Sequence, residues 1–377
     1  MNEPFDPFDP LDPGDAPAAN APADAAAKLR AAEATAHRLA GELFPWDHTQ
    51  ALELALLKTF CVPSISGLLA RTGEFERRPR KRYDDTGLME AELLCHGPGS
   101  PAGAAVIART NRIHGHYAIG NDDVLYVLST FVAEPIRWLA PYGWRPLTPL
   151  EQEHLYLFWR GVGARMGITE LPETLAELLA LNERVERGAF APAASNRRFA
   201  DATLAMLLAD WPAPLRPALR RVLLALLDRQ TCAALGWSTA PDGLQALVLG
   251  ALRAHSQTAA LVAAGRARLG RPAPARFYSQ RPTPSDGATF RLEQLGPPPL
   301  LADLALPAPP ALAMQDVMPR SSQPMAAPLQ SPHFAVVRTE DGWILEARVT
   351  KDQQGDWLLS RHELEELQAL LERAIIS

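Results

Sequence analysis

From Trp46 to about Arg268 the apolar residues of this chain recur at helical spacing almost without interruption, and strand signals are nearly absent. A run of that length commits the chain to helix packed on helix, so the spacing predicts an all-α fold. The stretch ALELALLKTF (51–60) carries helix-spaced apolars and stops before Pro63. SISGLLARTG (64–73) is a second short helix, with Gly73 as its C-cap. Residues 103–118 and 122–140 read as two longer helices. Thr148 and Glu151 form a capping box that opens a helix to about Met166, and Pro172 opens another to about Arg187. Helices over 197–210, 213–229 and 241–268 complete the pattern.

The flanks read differently. Residues 1–25 repeat Asp-Pro and Ala-Pro steps with few large apolars, a composition that cannot build a core. With a marginal Ala-rich helix over about 26–42 they make a disordered acidic tail, 1–42, ahead of a helical domain over 43–290. Proline-rich stretches such as GPPPLL and LPAPPALA point to a linker over 291–332. After it HFAVVRTEDGWILEARVT alternates around Glu340-Asp341-Gly342, which predicts a β-hairpin. SRHELEELQALLERAI is an amphipathic helix, and residues 333–377 together read as a small appended module.

Charge and motifs exclude several functions. The net charge is −6 over 377 residues, the wrong sign for a chain whose main partner is nucleic acid. Cys61, Cys95 and Cys232 form neither CxxC nor CxxCH, which argues against a zinc knuckle and against covalent haem. Their sparseness fits a reducing compartment. No run of about 18 uninterrupted apolar residues is present, and no basic segment precedes an apolar one at the N-terminus. A cytoplasmic protein is expected, with PAPLRPALRRVLLALLDRQTCAALGW (212–237) as a candidate for peripheral membrane contact or an ordinary core helix. HExxH, GxSxG and P-loop signatures are absent. A lone ExxH, Glu151 to His154, is half of a di-iron motif, and its place in a first helical turn favours a solvated helix start.

The segment RTNRIHGHY (109–117) carries the most chemistry. On a helix, Ile107, Asn111, His114 and Ala118 share one face, while Arg109, Arg112 and His116 share another. His114 is therefore the inward candidate and His116 the solvated one. A lone inward histidine is more often a core residue bonded to a backbone carbonyl than a metal ligand. The helix by itself leaves both readings open.

A set of segments in order resembles a known family. FCVPSISGLLARTGEF (60–75), KRYDDTGLM (81–89), RTNRIHGHY (109–117), NDDVLYVLSTFVAEPIRW (121–138), YGWRPLT (142–148) and FWRGVGARMGI (158–168) are similar to the catalytic domain shared by rubber oxygenase (latex clearing protein) and the MpaB-type ER-bound oxygenases. The resemblance covers roughly 45–290 and is nearer the MpaB-type branch. It implies a globin-like helical bundle around one non-covalent haem b, with O₂ as co-substrate. His114 then becomes the proximal iron ligand, with His116 as the fallback. Arg82 and Thr86 match an arginine and a threonine four apart in the family. Where rubber oxygenases have a lysine before that threonine, this chain has Asp85, which leaves a carboxylate or an open site on the distal side.

The expected function is oxidation or C=C cleavage of an apolar, alkene-bearing, isoprenoid-like small molecule. Arg82, Thr86 and Asp85 are the expected catalytic residues, and Arg82, Arg109, Arg137 and Arg145 the candidate cations for haem propionates. For each arginine a surface ion pair is the competing reading, and Arg137 lies three residues after Glu134. Glu74, Asp84 and Asp85 are candidates to act on a substrate proton. Asp84 and Asp85 equally suit a loop or helix start, as do Asp122 and Asp123. Trp138, Tyr142, Trp144 and Trp159 read as core aromatics. Two alternatives remain open at this level: a haem sensor or carrier without turnover, and a non-haem helical interaction protein.

Overall fold

The structure is a computed structural model that describes residues 21–268, 275, 277, 292–298, 300, 329–330, 334–339 and 342–347. The helical body runs α1 (Ala21–Arg38), α2 (Pro45–Phe60), α3 (Pro63–Thr72), α4 (Glu74–Arg77), α5 (Pro79–His96), α6 (Pro101–Gly115), α7 (Asn121–Tyr142), α8 (Pro149–Arg165), α9 (Leu175–Ala189), α10 (Ala194–Ala209), α11 (Arg216–Ala225), α12 (Arg229–Leu235) and α13 (Asp242–Arg268). All-α describes this body. A separate unit holds three short antiparallel strands, β1 (Leu329–Gln330), β2 (Phe334–Thr339) and β3 (Gly342–Ala347). In it Thr339 pairs with Gly342 and Phe334 with Ala347. The helix expected over 360–375, and nearly all of the linker, lie outside the described residues.

Local chemistry explains the helix ends. Gly73 closes α3 in the left-handed region at φ 65°, where a Cβ is penalised. Thr148 accepts from the Glu151 amide while the Glu151 carboxylate takes the Thr148 amide, so the capping box is complete. Other boundaries differ from the expectation. The helix after Pro172 starts at Leu175 with Thr174 as its cap, because the Pro172 carbonyl accepts from Tyr156 and Arg160. The helix expected over 213–229 ends at Ala225. Asp228 then caps α12, accepting from the Thr231 amide at 2.7 Å.

Two expectations are corrected more deeply. The Ala-rich stretch is part of the body: Leu29, Ala32 and Ala36 of α1 are buried, so the tail cannot extend to residue 42. Asp84 and Asp85 are neither loop nor cap but lie in the middle of α5, both buried. The many charges and Gly87 of α5 hide its periodicity.

α2, α7 and α8 form the centre of the bundle. Gly163 on α8 permits close approach to α7, since a Cβ there would stand 2.6 Å from Leu128 Cδ2. Phe60, Phe75 and Phe199 meet edge-on or tilted, with ring centroids 5.2–5.9 Å apart, and join α2, α4 and α10. A charged knot ties α2, α7 and α9: Lys58 Nζ donates to Glu134 at 2.8 Å and to Glu186 at 3.2 Å, and Arg137 donates to both at 2.7 and 2.8 Å. Glu134 is 4% exposed.

Lys58→Met removes one cation from this knot and leaves a buried and a half-buried carboxylate facing one arginine. The expected loss of stability is about 3 kcal/mol, measured by denaturant unfolding. A loss below about 1 kcal/mol contradicts the packing described for α2.

Candidate active site

One cavity of about 330 Å³ lies between α2, α3, α5, α6, α7 and α8, against about 20 and 10 Å³ for two others. It falls at the small end of the range for small-molecule sites. Its walls are mostly apolar: Leu52, Leu56, Leu93, Ile107, Phe131 and Val162 face it. Its polar lining is sparse and can be taken group by group.

His114, in the last turn of α6, lines the cavity, and no hydrogen bond among the described residues involves its ring. Burial, assisted by the charge of Arg82, pushes its pKa down to about 4. The imidazole is therefore neutral near pH 7, with one ring nitrogen free to donate an electron pair and the other carrying its proton. His116 is exposed on the opposite face, its Nδ1 bonding the Arg112 carbonyl at 2.8 Å. Asn111 donates to the Arg165 carbonyl at 3.2 Å, which pins α6 to α8.

α5 supplies a stripe at one-turn spacing: Arg82, Thr86 and Glu90 all line the cavity. Arg82 donates to the Thr86 hydroxyl and lies over the Phe75 ring, 5.2 Å from its centroid. Burial lowers the Arg82 pKa, and Asp85 offsets part of that. From α2 come Glu53 and His48. Tyr83 donates to Glu53 at 3.0 Å, and His48 Nε2 meets Glu90 Oε1 at 2.5 Å. Desolvation raises the Glu53 pKa, opposed by the Tyr83 hydrogen bond. Asp123, expected only as a helix-start residue, also reaches the lining and accepts from Ser64 at 2.7 Å.

Other expected site residues are committed elsewhere. Asp85 is gripped by Lys81 at 2.8 and 2.9 Å and accepts the Gly296 amide, and it is absent from the lining. Desolvation nonetheless raises its pKa, with Lys81 and the Gly296 amide opposing. Arg109 is 2% exposed and donates to the carbonyls of Leu295 and Glu293. Arg137 belongs to the Glu134–Glu186 knot. Arg145 makes a two-pronged bond to Glu151 and stacks on Phe44 and Trp144. Glu74 holds Arg78 at 2.6 Å. Of the four arginines expected near a haem, Arg82 alone lines the cavity. Trp138 and Trp144 donate to Asp47 and to the Leu43 carbonyl, and Trp159 lines the cavity stacked on Phe131.

The half di-iron motif is structural. Glu151 serves the capping box, His154 Nδ1 bonds Thr35 at 2.7 Å, and no cluster of three metal-binding side chains occurs among the described residues.

His48, Glu53 and Glu90 escaped the sequence reading. Their signal was available only on α2: His48, Leu52, Ala55, Leu56 and Thr59 share one helical face.

This donor set fits haem better than it fits a bare metal ion. At His114 it has a neutral imidazole, a neighbouring cation in Arg82 and mostly apolar walls, and the described residues hold no group of three His, Cys, Asp or Glu side chains for a bare ion. A haem b placed here would need one histidine to hold its iron, and His114 is the residue that would supply it.

Residues 49–264 match the family model for the catalytic domain of ER-bound oxygenase mpaB/B' and rubber oxygenase. The chain is 33% identical over 192 residues to ER-bound oxygenase mpaB of Penicillium roqueforti (strain FM164), covering 46% of this chain and 64% of that protein. Against ER-bound oxygenase mpaB' of Penicillium brevicompactum it is 32% identical over 192 residues, 46% of this chain and 45% of the relative. Against mpaB of the same organism it is 31% identical over 185 residues, 44% and 47% respectively. The chain thus matches about half to two thirds of these relatives' lengths.

Because the Glu53 carboxyl has a raised pKa in the folded state, folding binds a proton more tightly than the unfolded chain does. Stability from this group is present at low pH and is lost as pH rises from the ordinary carboxylate value through the folded one. Glu53→Gln keeps an acceptor for Tyr83 and carries no charge. Its melting temperature should exceed that of the parent at pH 8, with the advantage shrinking toward pH 4. An advantage independent of pH rules out a raised pKa at Glu53.

Proposed function

This chain belongs to the family of mpaB-type and rubber oxygenase catalytic domains, and we propose that it is a haem-b-dependent oxygenase acting with O₂ on an apolar, alkene-bearing small molecule. The observation that carries the reading is the neutral His114 imidazole facing a mostly apolar cavity beside Arg82. Haem bound there supplies the binding and activation of O₂. In cleavage of a C=C bond both oxygen atoms enter the products, giving two carbonyl groups, so no external reductant is needed.

The chain's own residues have definite tasks in this scheme. His114 holds the iron, and its depressed pKa keeps the ring ready to bind metal across the physiological range. Arg82, kept in place by Thr86 and Phe75, offers a cation to a haem propionate. The apolar walls exclude water and retain a hydrocarbon chain. Asp85, turned away and held by Lys81, contributes indirectly by fixing α5.

The same reading includes peripheral contact with a membrane. Among the described residues no single helix is long and apolar enough to cross one, and the relatives are named ER-bound. The chain's location is therefore proposed as membrane-associated rather than freely cytoplasmic. Trp211, Leu215 and Val222 are exposed around the start of α11. Arg216 there donates only to backbone carbonyls, and exposed Arg221 has no ion-pair partner among the described residues. An exposed tryptophan among apolars and uncompensated arginines suits an anionic lipid surface.

The purified protein, reconstituted with haem, should show a Soret band that is lost or shifted in His114→Ala and kept in His116→Ala. Absence of the band removes the haem reading. A band with no O₂-dependent product from isoprenoid alkenes leaves a haem carrier.

Sedimentation with vesicles tests the membrane face. Binding should require anionic lipid and should weaken about fivefold on Arg221→Gln, from ~1 kcal/mol per basic residue near the surface. Equal binding to neutral and anionic vesicles contradicts this face.

A further inference from the structure

Along α5 the polar groups follow at one-turn intervals: Arg82 at one end, with His114 near it, then Thr86, then Glu90 with His48 of α2 at the other end. Eight residues separate Arg82 from Glu90, about 12 Å along a helix. The rest of the wall is mostly apolar, formed by residues such as Leu52, Leu56, Ile107 and Phe131, and also carries Thr110 and the Tyr83–Glu53 pair.

The His48–Glu90 pair ties α2 to α5, and it does so at a cost. Both side chains are largely removed from solvent, 10% and 12% exposed, and desolvating such a pair opposes its mutual attraction. Two apolar residues would close the same gap between α2 and α5 with less penalty. The pair also keeps capacity for a ligand. Each side chain makes one hydrogen bond among the described residues, to the other, so Glu90 Oε2 and His48 Nδ1 have no protein partner there and neither is a sealed buried atom. One is an acceptor, and the other accepts or donates according to the tautomer. Both belong to side chains that line the cavity.

We propose that His48 and Glu90 form a recognition site for a hydroxyl group at one end of an elongated apolar substrate, whose reacting alkene lies toward the Arg82 end of α5, on the side of His114. A hydroxyl both donates and accepts, which matches the two positions left open. A carboxylate or phosphate fits poorly, because it would face the Glu90 carboxylate. The same repulsion keeps haem propionates away from this end and directs them toward Arg82. The inference rests on the oxygenase reading of the cavity and narrows its substrate class to isoprenoid-like alcohols or phenols.

The test compares farnesol with farnesene, similar chains that differ in the hydroxyl. Their affinities for the full-length protein, without and with haem, are measured by displacement of a fluorescent apolar probe. The wild type should bind farnesol about tenfold more tightly, the worth of one good hydrogen bond. The double variant His48→Phe/Glu90→Leu should bind the two within about twofold, with farnesene affinity kept. Glu90→Gln, which retains the bond to His48, should show an intermediate preference and guards against a folding defect in the double variant. No preference in the wild type, an undiminished preference in the double variant, or binding of neither ligand overturns the proposal. The Soret band, recorded on the same samples, separates the two readings. A band without the preference removes the recognition site alone. A preference without the band leaves the site standing and removes the haem reading.

Discussion

The four-charge knot of Lys58, Glu134, Arg137 and Glu186 is the constraint on which the cavity depends. Lys58 is on α2 one residue before Thr59, which faces the cavity, and Glu134 is on α7 three residues beyond Phe131, which faces it from the other side. Two helices that carried only apolar residues here could slide past each other at small cost. A buried charge cannot, because any shift that separates the partners strands one of them in a medium of low dielectric. Glu186 extends the restraint to α9. The apolar hollow is thereby framed by a contact that is itself strongly polar.

Much of this body was legible in the sequence, for local reasons. A period of 3.6 residues, a complete capping box and a glycine at positive φ each involve residues within a few positions of one another. The distinction between His114 and His116 was local too, since two residues along a helix turn the side chain by about 200°. The chain's place in its family was also readable from segments that each lie within a single helix or turn.

What the sequence concealed was the assignment of charges to partners. Arg137 has a local partner in Glu134, as its spacing suggested, but the second, Glu186, is 49 positions away. The partners of Arg109 are carbonyls more than 180 positions away, and His48 finds Glu90 across 42. No periodicity encodes such pairings. An arginine therefore looks equally suited to a propionate, a carboxylate or a backbone carbonyl until the tertiary structure chooses. Asp85 was misjudged for the same reason: its neighbour Lys81 is one turn away, but the Gly296 amide that completes its coordination is 211 residues on.

The grip of Lys81, Asp85 and Arg109 on residues 293–296 bears on how the chain is made. α5 and α6 leave the ribosome carrying an aspartate and an arginine destined for burial, whose backbone partners are not translated until about 190 to 210 residues later. At ~5–20 residues per second that interval is roughly 10–40 s. During it the two helices must wait loosely packed or stay hydrated at these positions. The helical body is thus finished from its far end, and synthesis of a short segment after α13 sets the earliest moment at which α5 and α6 reach their final packing.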